Sequence, residues 1–143
     1  METRYSISNQ RKRLFQYIED FYGTEPEYLW AKYPTYAVFR HSASRKWFAA
    51  VMELSRDKPG LPGGGCVDIL NVKCDSVLIG SLLAEAGFFP AYHMNKNTWI
   101  SVLLDETVPD ERIFPLLAWS FDSVAPKRRR KNENNCAQKA ERN

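Results

Sequence analysis

Two runs rich in β-branched and aromatic residues, 47–54 and 66–72, lie on either side of a loop, 57–65, whose Pro-Gly-Leu-Pro-Gly-Gly-Gly suits neither a helix nor a strand interior. Shorter runs of the same kind at 28–32 and 36–40 precede them, each bounded by Pro, Gly, Ser or Asp. The four together read as strands of a meander. Across 67–74 the alternation of apolar and polar residues breaks at Leu70, so one face of that strand is expected to be buried and the other partly covered.

Helical patterns flank the strands. Leu14, Phe15, Ile18, Phe21 and Tyr22 recur at helical spacing, with Arg11, Lys12, Arg13, Glu19 and Asp20 expected around the opposite face. Ser8 can cap the start of this helix and Gly23 can close it in a left-handed conformation. Asp75 is placed to cap a second helix over 76–86, with Leu78, Leu82 and Leu83 as its apolar stripe and Gly87 beyond its end. Segments 89–94 and 98–104 flank Asn95-Lys96-Asn97, a turn whose asparagines tolerate positive φ, and read as a β-hairpin. Pro109, Asp110 and Glu111 suit the first turn of a third helix, with Ile113, Leu116, Leu117 and Phe121 facing inward as far as about Val124. Pro126 stops it. No internal repeat is visible.

A chain of 143 residues with 44% hydrophobic and 26% charged residues fits a single α+β domain, here 1–126, followed by a polar tail. The tail, 127–143, carries seven basic and two acidic residues and no large apolar side chains to bury, so disorder is expected there. Its charge of +5 hides a domain that is slightly acidic: residues 1–126 hold 13 Lys and Arg against 15 Asp and Glu, or −2. The longest apolar runs fall far short of the roughly 20 residues of a membrane span, so no membrane partner is expected. The first residues lack the apolar core of a secretory signal, which favours the cytoplasm. Cys66, Cys74 and Cys136 have no CxxC spacing and are expected to be reduced thiols rather than disulfides or zinc ligands.

Candidate chemistry is sparse. Gly63, Gly64 and Gly65 run into a strand, not into a helix with a Lys-Ser/Thr pair, so they read as a hairpin loop rather than a phosphate cradle. His41, His93, Cys66, Cys74 and Asp68 show no metal-ligand spacing, and no metal or cofactor is expected. Glu53 and Asp68 fall on neighbouring strands, as any two carboxylates in a meander can. No nucleophile elbow is present, and no enzymatic activity is expected.

Two turns carry more information. Arg40, His41, Arg45 and Lys46 cluster in the connection before Trp47, while His93, Asn95 and Lys96 cluster in the one before Trp99. Arg and Lys at hairpin tips can follow a phosphate backbone, with His and Asn as hydrogen-bonding neighbours and an adjacent aromatic ring available to stack on a base. Trp47 and Trp99 have an alternative role as core residues. The basic tail adds a salt-sensitive, sequence-blind attraction to any polyanion, or simply solubility.

The segments Trp30-Ala-Lys-Tyr-Pro, Tyr36-Ala-Val-Phe-Arg-His, Arg45-Lys-Trp-Phe-Ala, Val67-Asp-Ile-Leu-Asn-Val-Lys-Cys and Tyr92-His-Met-Asn-Lys, in that order, closely resemble the YjbR/MmcQ-like family of small bacterial proteins. The resemblance covers about residues 5–126. It implies an α+β fold of the CyaY-like kind, a two-layer sandwich of an antiparallel sheet with helices packed on one face. It also implies a DNA-binding "double wing", in which the 40–47 and 93–97 turns are the wings. Iron binding, which the frataxin-like architecture would suggest, needs an acidic ridge on the first helix, and Arg11, Lys12 and Arg13 stand there beside only Glu19 and Asp20. The expectation is a monomeric, non-catalytic protein that contacts DNA weakly through its turns. The alternative is a module that binds a small ligand or an unknown protein partner on its sheet face.

Overall fold

A computed structural model describes residues 8–126. The tail at 127–143, with the disorder expected of it, lies outside the described residues. The element order is α1 (Asn9–Tyr22), β1 (Ala37–Arg40), β2 (Trp47–Ser55), β3 (Cys66–Lys73), α2 (Ser76–Leu82), β4 (Phe88–Pro90), β5 (Trp99–Leu103) and α3 (Asp110–Ser123). The strands form one antiparallel sheet in the order β1-β2-β3-β5-β4. The α+β class follows, with all three helices on one face of the sheet.

The ends of α1 are set by local chemistry. The Ser8 hydroxyl accepts from the Arg11 N–H at 3.0 Å, and Gly23 takes φ 67° where its N–H reaches the Glu19 carbonyl. The helix buries Leu14 and Ile18 against Phe39, Phe48, Val51, Leu70 and Val72 of the sheet and Ile113 and Leu117 of α3. It also buries Gln10 and Arg11, of which Arg11 was expected on the opposite, polar face. Arg11 pairs with Asp68 of β3 at 3.2 Å and donates to the Thr35 carbonyl at 2.7 Å. Gln10 donates to the Val108 carbonyl. These partners lie 57 and 98 residues away, so helical periodicity alone had no access to them.

Three local expectations are corrected. Residues 28–32 form no strand; a single bridge joins Glu27 to Val38, and the chain then turns with the Tyr33 N–H on the Trp30 carbonyl. The Asn95-Lys96-Asn97 turn is the tip of a longer connection, 91–98, because β4 ends where Pro90 pairs with Ile100. Helix α2 stops at Leu82 and turns its Ile79 and Leu82 inward, leaving Val77, Leu78 and Leu83 exposed. Gly87, at φ 92°, is fixed by packing as well as conformation: a Cβ there would lie 2.4 Å from Val108 Cγ2.

The other face of the sheet is covered without a helix. Tyr36, Val38, Ala50, Met52, Leu54, Val67, Ile69 and Leu103 form its buried layer, over which Trp30, Leu61, Tyr92 and Met94 pack from three irregular segments. Strand β3 is therefore buried on both faces, and this is why its alternation is lost at Leu70.

Candidate functional site

Both basic turns leave the sheet at the same end. The C-termini of β1, β3 and β4 and the N-termini of β2 and β5 all point there. The β1–β2 turn and the β4–β5 connection are three strand spacings apart, about 14 Å at ~4.8 Å per strand. Helix α3 also ends here, since Ser120 bonds to β2 and β3 and Phe121 stacks on His41. The basic tail is thus attached at the end of the sheet that carries the turns.

The first turn is braced from within. His41 is only 7% exposed, and its Nδ1 accepts from the Ala43 and Ser44 N–H groups at 3.0 and 3.3 Å while its ring stacks on Phe121. An acceptor Nδ1 requires the neutral imidazole at that nitrogen, and burial lowers the His41 pKa below its usual value, against the opposing pull of Asp122. His41 is therefore a brace for the turn and not a phosphate ligand. Arg40 gives its Nε to both oxygens of Glu27 at 3.0 and 3.1 Å and its Nη1 to the Arg45 carbonyl. Arg45, in a left-handed conformation at φ 64°, reaches the same Glu27 at 3.4 Å but keeps its side chain 61% exposed. Lys46 is exposed and makes no ion pair among the described residues. Of the three residues expected to meet phosphate here, Arg45 and Lys46 are available, while Arg40, like its expected hydrogen-bonding neighbour His41, organises the turn. Glu27, which this arrangement depends on, was not singled out by the sequence reading.

The second connection is pinned across the helix-free face. Asn71 of β3 and Ser101 of β5, both fully buried, are register partners whose side chains bond to each other. Asn71 Nδ2 donates to the Tyr92 carbonyl at 3.0 Å, and the Tyr92 N–H donates to Ser101 Oγ at 3.1 Å. The Tyr92 hydroxyl bonds to the Lys58 carbonyl of the β2–β3 loop. Asn95 Oδ1 accepts from the Asn97 N–H and the Asn95 carbonyl accepts from Trp99, so Asn95 shapes the turn. Lys96 Nζ donates to the Ala91 carbonyl at 2.8 Å, which leaves two ammonium hydrogens of an exposed side chain free to face solvent. His93 is exposed in a left-handed conformation, φ 62°.

Between the two turns lies a pocket of about 280 Å³. Trp30, Tyr33, Tyr36 and Trp47 supply its aromatic walls, Met52 its apolar wall, and His93 and Met94 the side toward the second connection. Trp30 meets Trp47 and Tyr36 edge to face at 5.9 and 5.8 Å, and Tyr33 stacks on Tyr36 at 4.7 Å. Trp47 reaches this face because of a bulge. Phe39 pairs with Ala49 but Arg40 with Trp47, so Phe48 is an extra residue in β2. Phe48 and Ala49 both turn toward the helices, and the alternation is displaced by one, which carries Trp47 to the face of Ala50 and Met52. The Phe48 carbonyl at the bulge accepts from Ser120 Oγ at 2.6 Å, and that oxygen accepts in turn from the Lys73 N–H at 2.9 Å. Trp99, by contrast, sits half-buried opposite Lys73.

The remaining candidates are structural. Glu53 and Asp68 are register partners, but Asp68 is held by Arg11 and Glu53 accepts from Thr35 Oγ1. Burial raises the pKa of Cys74, and partial desolvation with the neighbouring Glu53 carboxylate raises that of the exposed Cys66, which disfavours both thiolates. No helix among the described residues is long and apolar enough to cross a membrane.

Comparison with known proteins agrees with this geometry in fold. The YjbR family model matches residues 19–123. The uncharacterised protein YyaQ of Bacillus subtilis (strain 168) is 40% identical over 111 residues, which are 78% of this chain and 94% of that protein. A crystal structure of a Pseudomonas syringae protein superposes with a TM-score of 0.78 at 40% identity, covering 80% of this chain and 98% of that one. A Deinococcus radiodurans crystal structure, at 21% identity and a TM-score of 0.59 over 87% of this chain and 82% of that one, shares the fold.

Proposed function

The chain belongs to the YjbR family, and from that premise we propose that it is a non-catalytic DNA-binding protein whose two turns contact phosphates from one end of the sheet. The observation that carries this reading is the convergence of Arg45, Lys46, Lys96 and the attachment point of the +5 tail at that one end. The slightly acidic remainder of the domain limits long-range attraction, so binding is weak and falls steeply with salt. Arg40, His41 and Asn95 act by shaping the turns, and His93 stands at the pocket between them.

Anisotropy titration of labelled DNA with the full chain and with Arg45→Ala, Lys46→Ala and Lys96→Ala tests this. Each substitution is expected to weaken binding and to make the salt slope shallower by about one unit per lost contact. Variants that bind as the parent does, with affinity lost on removal of 127–143, would move the activity from the turns to the tail.

A second reading, a small-ligand module on the sheet face, is favoured by the aromatic pocket itself. Titration with small planar ligands, followed by tryptophan fluorescence in the absence of DNA, separates it from the first.

A further inference from the structure

We propose that the pocket between the turns takes one unstacked nucleobase, so that the protein prefers single-stranded or locally unpaired DNA to intact duplex. This inference rests on the DNA-binding reading and names the part of the nucleic acid that its site selects. Four aromatic rings line a space of about 280 Å³, slightly below the range that drug-sized ligands fill, which suits one flat ring system. Trp30 meets Trp47 and Tyr36 edge to face, and all three line that space with the exposed Tyr33, which offers a base aromatic rings to stack on. His93 brings the one ionisable imidazole to the pocket wall and can hydrogen-bond the edge of a base.

The chemistry of the lining also argues for a neutral π system over a cation. Among the described residues no Asp or Glu lines the pocket, whereas an ammonium group gains from a nearby negative charge, and Lys46 immediately precedes Trp47. Continuity with the phosphate contacts is built in. Lys46 precedes Trp47 in the chain, and Lys96, its ammonium on the Ala91 carbonyl, follows His93 and Met94, so both connections that supply a cation also supply pocket wall. Duplex DNA keeps its bases stacked inside and could use the pocket only after unstacking, at a cost of a few kcal/mol.

The test compares two single strands of equal length and charge, one of thymidines and one in which abasic sites replace the bases, titrated against the full chain. The thymidine strand is expected to bind roughly five- to hundredfold tighter, the usual effect of one stacked base. Tyr33→Ala, at an exposed residue outside the buried core, is expected to reduce that preference while leaving abasic binding unchanged. Trp47→Phe, which keeps an aromatic ring packed beside the first turn, provides a second variant in which the preference for the thymidine strand falls. Equal affinity for both strands would overturn the base pocket and leave the phosphate contacts standing. Binding of neither strand would overturn the DNA reading together with the pocket.

Discussion

The two faces of the sheet are built differently. The helix face is an apolar layer from α1, α3 and the strands, with buried polar groups in Ser120, tied to the backbone of both β2 and β3, and in Gln10 and the Arg11–Asp68 pair at the start of α1. The opposite face has an apolar layer too, but it is crossed by the Asn71–Ser101 pair, roofed by irregular segments and opened into an aromatic pocket. Each buried polar group needs a partner to offset its desolvation, and on this face the fully buried Asn71 and Ser101 find theirs in each other and in the connection that carries the second turn. The contrast teaches that one face is closed by helices and the other by irregular segments, which the sheet holds through side-chain hydrogen bonds.

The comparison can be broken first by core truncation. Leu70→Ala, on the helix face, is expected to cost about 2–5 kcal/mol in urea unfolding, whereas Tyr33→Ala, 48% exposed over the other face, should cost under ~1 kcal/mol. Equal losses would mean that both faces serve stability alike. Asn71→Ala leaves the Ser101 hydroxyl hydrogen without its acceptor and the Tyr92 carbonyl without its side-chain donor, and about 1–3 kcal/mol of stability should go with it. Its sharper signature is faster amide exchange at 91–94, with α1 and α3 protected as before.

Ser120→Ala removes the partner of the bulge carbonyl from the helix side, at a cost of ~1–2 kcal/mol. Because the bulge aims Trp47, this variant, read in a Trp119→Phe background that removes the indole next to Ser120, should also change tryptophan emission, which a purely local loss would leave unaltered. The pH profile sharpens the account of the first turn. His41 has a folded pKa below its unfolded value, so the unfolded state takes up the proton first as pH falls. Stability from this group is intact above about pH 6.5 and decreases below it. His41→Gln should flatten that part of the curve. The smallest effect is expected for Glu27→Gln, which releases Arg40 and Arg45 from a partly exposed carboxylate: stability changes by under ~1 kcal/mol, and DNA affinity rises a few-fold.

Much of the helix face was legible in the sequence, because α1 and α3 obey helical spacing and Ser8 and Gly23 mark ends that form as expected. The strands of the meander were legible for the same reason, apart from 28–32, whose aromatic residues serve as cover for the sheet and not as a strand in it. The candidate site was legible only in outline. The two turns were found, but the division into residues that face solvent and residues that brace the turns depends on Glu27, Phe121 and backbone carbonyls distant in the chain. The bulge at Phe48 left no local signal, since 47–54 reads as an uninterrupted strand, and with it the placement of Trp47 was hidden. Asn71 and Ser101 were equally silent: a polar residue in a strand marks a solvent face unless a partner strand brings another polar group opposite it.

The most direct test of the central claim, that both turns and the pocket form one binding surface, is amide and indole chemical-shift mapping of the full chain during titration with a short thymidine strand. The account predicts that residues 41–47 and 91–98 and the indoles of Trp30 and Trp47 shift together with a single affinity. Shifts confined to the tail, or to the helix face around α1 and α3, would contradict it.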